Sequence, residues 1–149
     1  FTINAETVSA ADINLEGGLG LWDDLVIRKA EGELDYAMCA NSTNSLGCLA
    51  ASESAGRTDY KVFGIDDEAD QLAALTKENS IYYATVAQNP FEIGVQVMEA
   101  AVHAVEGQDD GIVKVDGILV TRDTVQEYMA NREKSLEELK DYLAIITAS

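Results

Sequence analysis

Basic residues, proline, cysteine, histidine and aromatic side chains are all scarce in this 149-residue chain. Ten Lys and Arg stand against 27 Asp and Glu, for a formal net charge of -17. So acidic a surface repels phosphate backbones and anionic headgroups, which argues against nucleic acid and membrane surfaces as partners. Its plain meaning is solubility. No apolar run approaches the ~18 residues a membrane span needs, so direct insertion is not expected. The one histidine, His103, has no cysteine or second histidine beside it, and no metal site is expected. Cys39 falls in an apolar strand-like run and Cys48 in a helix-like one. Small buried thiols are common in such places, and a disulfide between them is not the expected state. The chain opens on Phe1 rather than Met and carries no signal-peptide pattern. The expectation is that its beginning was removed by processing, cloning or proteolysis.

What is present is a regular alternation of short apolar runs and amphipathic stretches, at a length suited to one core. Strands are expected at Phe1 to Val8, Tyr36 to Ala40, Tyr60 to Ile65 and Ile81 to Ala87. Helices are expected at Ala11 to Lys29, Thr43 to Ala55, Asp67 to Glu78 and Pro90 to Val105. In the first helix Leu15, Leu19, Trp22 and Val26 share a face, while Gly17, Gly18 and Gly20 weaken its opening turns. The Tyr36 run is apolar throughout, the pattern of a strand buried on both faces. Pro90 suits a first helical turn, and Gly94, Val97, Met98, Ala101 and Val102 give its helix a core stripe. Two extended pieces, Ile112 to Val115 and Gly117 to Val120, flank a turn at Asp116-Gly117. A long amphipathic helix from Asp123 to Ala144 closes the chain, with Val125, Met129, Arg132, Leu136, Leu139 and Leu143 on one side. The class is α/β, a parallel sheet between helical layers.

In an open parallel sheet, ligands bind outside the carboxyl ends of the strands. The residues following three of the expected strands are Asn41, Asp66 and Gln88. Two amides and a carboxylate offer donors and acceptors, the chemistry of vicinal hydroxyls, without a nucleophile–base pair. Each also has a structural reading. Asn41 and Asp66 precede helices, where such residues cap for about 1 kcal/mol, and Gln88 leads into the turn residues Asn89-Pro90.

The same residues carry a resemblance. Cys39-Ala-Asn-Ser-Thr-Asn-Ser-Leu-Gly47 resembles the A-N-D-x-x-A-L-G segment of type I periplasmic sugar-binding proteins, the ribose- and galactose-binding group. Val62-Phe-Gly-Ile-Asp66 is similar to their V-x-G-x-D, and Ala84-Thr-Val-Ala-Gln-Asn-Pro90 to their A-T-V-x-Q-x-P. Asp116-Gly-Ile-Leu-Val-Thr-Arg-Asp123 is similar to their G-x-L-V-T-K-D ending.

The resemblance implies one Rossmann-like lobe of that fold, lacking its first strand and helix, over residues 1–121. Residues 122–149 form a helix packed on or extending from it, past the family's usual end. It implies a sugar ligand held by Asn41, Asp66 and Gln88, with Ile13 where many members carry a stacking aromatic. An aliphatic side chain offers no ring face, and Ser42 replaces the usual acid. It further implies no cofactor, an ABC permease as partner of the full protein, and an extracytoplasmic place, free or lipid-anchored. In this lobe the strand preceding Phe1 would lie mid-sheet, so a missing amino-terminal lobe or a second copy is expected to complete it.

Other readings are weaker. Leu15-Glu-Gly-Gly-Leu-Gly20 lacks the dinucleotide-loop spacing, and Asp66, Asp67, Glu68 and Asp70 lack that of a calcium loop. Ser42, Thr43 and Ser45 have no histidine partner, so no catalytic residue is assigned. The ligand-sensing core of a LacI-type repressor, or a sensor domain, shares the two-lobe layout and is the alternative; a helix-turn-helix ahead of the chain would mark it. A flavodoxin-like enzyme would need a phosphate loop that Glu6 to Ala11 does not offer.

Overall fold

The computed structural model describes residues 5–10, 12 and 14–147, with residues 141–147 as backbone alone. The elements run α1 Leu15–Arg28, β1 Tyr36–Met38, α2 Ser42–Ser54, β2 Lys61–Ile65, α3 Ala69–Thr76, β3 Tyr82–Ala87, α4 Pro90–Val105, β4 Ile118–Thr121 and α5 Val125–Thr147. The sheet has the order β1-β2-β3-β4, parallel from β1 to β3, with β4 antiparallel against β3.

Local chemistry explains the helix ends. Asn14 caps α1 by accepting the Gly17 N–H at 2.8 Å, with Glu16 in the first turn and Arg28 in the last, each favourable to the helix dipole. Trp22, Leu25 and Val26 form its buried side. Burying each is worth roughly 1.5–3 kcal/mol of transfer free energy. The partner face of α2 is made of small groups, Ser45, Gly47, Cys48, Ala51 and Ser52. Gly18 and Gly47 let the two backbones meet there, since a Cβ on Gly47 would stand 2.6 Å from the Gly18 carbonyl carbon. The glycines that weaken α1 locally are what allow this approach.

Arg57 fastens the same unit from below. Its Nη1 and Nη2 donate to the carbonyls of Val26, Lys29 and Ala30 at the end of α1. Its Nε and Nη2 grip Asp59 at 2.6 and 2.9 Å. Asp59 also accepts the Gly32 N–H at 2.7 Å. The guanidinium and this amide hold the Asp59 carboxyl well below the usual range. Under α2, the Tyr60 hydroxyl bonds Ser52 and lies 3.9 Å from the Cys48 sulfur. Burial pushes both the Tyr60 phenol and the Cys48 thiol up. Cys39 and Cys48 are free and buried.

The helices α2 and α3 cover one face of the sheet, with α1 on α2 and the start of α5 against α3 and β4. Ala37, Val62, Tyr82 and Val120 point into this core. On the opposite face Tyr36, Met38, Ile65, Val86 and Leu119 are exposed, Met38 at 78%. The α/β class and the helix-flanked, mostly parallel sheet agree with expectation. The second covering layer is not supplied by the described residues.

Four local expectations are corrected. Residues 5–10 form no strand, and the rest of the Phe1 to Val8 run lies outside the described residues. A strand needs a neighbour to bond, and among the described residues β1 pairs only with β2. Tyr36–Met38 is buried on one face, since it sits at an edge of the sheet. The α4 stripe of Gly94, Val97, Met98, Ala101 and Val102 is not core, because α4 leaves the sheet and buries no residue. Of the two extended pieces near Asp116, only Ile118–Thr121 becomes a strand, having β3 to pair with.

Candidate ligand-binding edge

Parallel strands of unequal sequence context end at the same edge, and each deposits one polar residue there. Asn41 lies three residues past the end of β1, while Asp66 and Gln88 directly follow β2 and β3. Their hydrogen bonds define which groups remain for a ligand.

Asn41 is the N-cap of α2. Its Oδ1 accepts the Asn44 N–H and the Thr43 hydroxyl, both at 2.9 Å. The acceptor is thus spent on capping, and among the described residues the Nδ2 amide is left as a donor. The capping reading and a binding role use different atoms of one side chain. They are compatible.

Asp66 does not cap α3, whose N-cap is Glu68. Its backbone is left-handed, with φ 81°, a region that costs L-residues roughly 1–2 kcal/mol. Three bonds hold it there. Its N–H donates to the Val86 carbonyl at 3.0 Å, its carbonyl accepts the Thr85 hydroxyl at 2.7 Å, and Gln71 Nε2 donates to the preceding Ile65 carbonyl at 2.9 Å. Gln71 and Thr85 are among the most deeply buried polar residues. So placed, the Asp66 carboxylate accepts the Ser42 N–H at 2.9 Å through Oδ2 and a Gln88 amide N–H through Oδ1. The α2 amino end and the β3 end are therefore both tied to one carboxylate.

Asn41, Asp66 and Gln88 are brought together on one edge. Ile13 lies outside the described residues. Thr85, Gln71 and the Ser42 amide are supporting groups that sequence reasoning did not single out. Thr85 was visible as part of the A-T-V run, but its partner, the Asp66 carbonyl, is set by tertiary register. Asn89 is likewise left-handed, φ 55° and ψ 57°, at the point where the chain leaves the edge for α4.

With this geometry in place, a family profile described as a periplasmic binding protein domain matches residues 5–109. The chain belongs to the periplasmic binding protein family. Among curated proteins, the ribose import binding protein RbsB of Salmonella typhimurium is 31% identical over 98 residues, covering 66% of this chain and 32% of that protein. An ABC transporter solute binding protein from Agrobacterium vitis, solved with bound allitol, matches with TM-score 0.76 and 23% identity over 87% of this chain and 45% of its own. Another from Bacillus halodurans, with bound myo-inositol, matches at TM-score 0.68 and 30% identity over 80% of this chain and 41% of its own. This member of the family thus spans about a third of that curated relative and under half of the solved chains.

His103, the only histidine, pairs with Asp110 at 2.7 Å, both side chains partly exposed. Among the described residues there is no group of three or more His, Cys, Asp or Glu arranged to hold a metal, and no helix long and apolar enough to cross a membrane.

Proposed function

We propose that this chain is the ligand-gripping carboxyl-terminal lobe of an extracytoplasmic, free or lipid-anchored, sugar-binding protein that delivers solute to an ABC-type importer, and that it is not itself an enzyme. The carrying observation is the meeting of Asn41, Asp66 and Gln88 on one sheet edge with unspent hydrogen-bonding capacity. Asn41 Nδ2 is a donor, Gln88 Oε1 an acceptor, and each Asp66 oxygen keeps a lone pair. A sugar hydroxyl donates to one group and accepts from another, so neighbouring hydroxyls suit alternating donors and acceptors. The polyols held by the related structures, allitol and myo-inositol, have this character.

The same reading has polypeptide from outside the described residues completing the lobe, either a preceding lobe or a second copy. In its favour are, among the described residues, the exposed sheet face, the unpaired outer edge of β1 and the uncovered apolar side of α4. An apolar face and an unprotected strand edge of this kind are aggregation hazards unless covered.

Calorimetric titration of the full-length protein with ribose, allitol and myo-inositol tests the proposal. Binding to at least one is expected, with Asp66→Asn weakening it about 10- to 100-fold, the worth of a hydrogen bond to a charged group, and Gln88→Ala about 2- to 10-fold, that of a neutral one. Failure to bind any of them, or indifference to both substitutions, overturns it.

A further inference from the structure

The helix α5 lies beyond the family match, yet its first turns grip the loop that carries Asp66. Tyr128 donates its hydroxyl to Asp67 Oδ2 at 2.7 Å, across 61 residues of sequence. Arg132 Nη1 donates to the Asp67 carbonyl at 2.8 Å and lies 3.5 Å from the same carboxylate oxygen. Both contacts fall on the residue immediately after Asp66. The Asp67 side chain is 14% exposed, so these bonds are shielded from water rather than spread over a surface. Val125 is buried at the foot of the same helix and fixes its origin against the core.

The loop needs such a hold. Asp66 sits in left-handed backbone, and a residue there relaxes when its surroundings loosen. Thr85, Val86 and Gln71 fix the strand side of Asp66, whereas Tyr128 and Arg132 fix the side that leads into α3. Burial, then the Asp67 carboxylate, push the Tyr128 phenol up from its ordinary value, consistent with the hydroxyl acting as the donor in this pair.

We propose that Tyr128 and Arg132 are positioning residues for the ligand edge: through Asp67 they hold the Asp66 carboxylate where it meets the Ser42 amide and Gln88. The ligand consequence rests on the sugar-binding reading above, but the clamp itself does not.

Hydrogen exchange separates the two. In Tyr128→Phe and Arg132→Gln, the Ser42 amide, whose acceptor is Asp66, is expected to exchange about tenfold faster, equal to ~1.4 kcal/mol of lost protection. Amides in the middle of α1 are expected to be unchanged. Unchanged Ser42 protection in both variants overturns the proposal, whether or not any sugar binds. A uniform rise at every amide overturns it too, since that reports general destabilisation. With a binding sugar in hand, Tyr128→Phe is expected to weaken affinity about fivefold in the parent and not at all in an Asp66→Asn background. Equal losses in both backgrounds mean that Tyr128 does not act through Asp66.

Discussion

Adding one methyl group at Gly47 tests how α1 and α2 are held together. In an isolated helix Gly→Ala gains about 0.8–1.0 kcal/mol, so propensity alone forecasts stabilisation. The tertiary structure forecasts the reverse. The new Cβ would lie 2.6 Å from both the Gly18 carbonyl carbon and the Leu19 nitrogen, and 3.1 Å from Gly18 Cα. All three are backbone atoms and cannot rotate away. Carbon contacts are optimal near 3.5–4.0 Å, so the helices must part by on the order of 1 Å. Trp22, Leu25, Val26, Cys48 and Ala51 occupy the seam and would lose contact together. Overpacking of this kind costs typically 1–3 kcal/mol beyond the propensity gain. At about 2–4 °C per kcal/mol for a chain of this size, Tm should fall by roughly 2–12 °C. Gly20 on α1 is the control, because a Cβ there meets nothing within 4 Å. Gly20→Ala should raise Tm by about 2–4 °C through propensity alone. Differential scanning calorimetry of the three proteins decides the matter. A Gly47→Ala protein as stable as the parent would refute the close-approach account of the α1–α2 seam.

Three further outcomes follow from named contacts. Arg57→Ala strips the cap from α1 and leaves Asp59 without its cation, so urea denaturation at pH 7 should show a loss of about 2–4 kcal/mol. Because Asp59 is lowered in the fold, its contribution is full above the unfolded value of about 3.9 and fades as pH falls toward the folded one; the parent should lose stability through that window and Arg57→Ala should lose less. Asp66→Gly relieves the left-handed backbone but removes the acceptor of the Ser42 and Gln88 bonds, so it should leave Tm within a few degrees while abolishing sugar binding by the full-length protein; retained affinity would refute the role of Asp66. Cys48 is fully buried and its thiol is pushed up, so a thiol reagent should label it only at the rate of unfolding, and fast labelling of the native chain would contradict the packing under Tyr60.

Much of this molecule is legible without coordinates. The apolar runs and helical periodicities place β2, β3, α2 and α4 to within a residue or two, because backbone hydrogen bonding and amphipathic spacing are local. Trp22 belongs to the core as its stripe implies. The polar residue after each strand marks the edge, because side-chain chemistry at strand ends follows from chain order in a parallel sheet. What local pattern could not decide is which apolar surface finds a partner. The α4 stripe and the Tyr36 run read as core, yet burial depends on what lies opposite in space, and among the described residues nothing covers them. Nor could the sequence assign Asn41 Oδ1 to its capping bonds, or show Asp66 held by Ser42, Gln88 and Thr85 and steadied from α5 through Asp67. The bonds to Asp66 and Asp67 join residues from 19 to 61 positions apart, and only the folded register brings them within 3 Å.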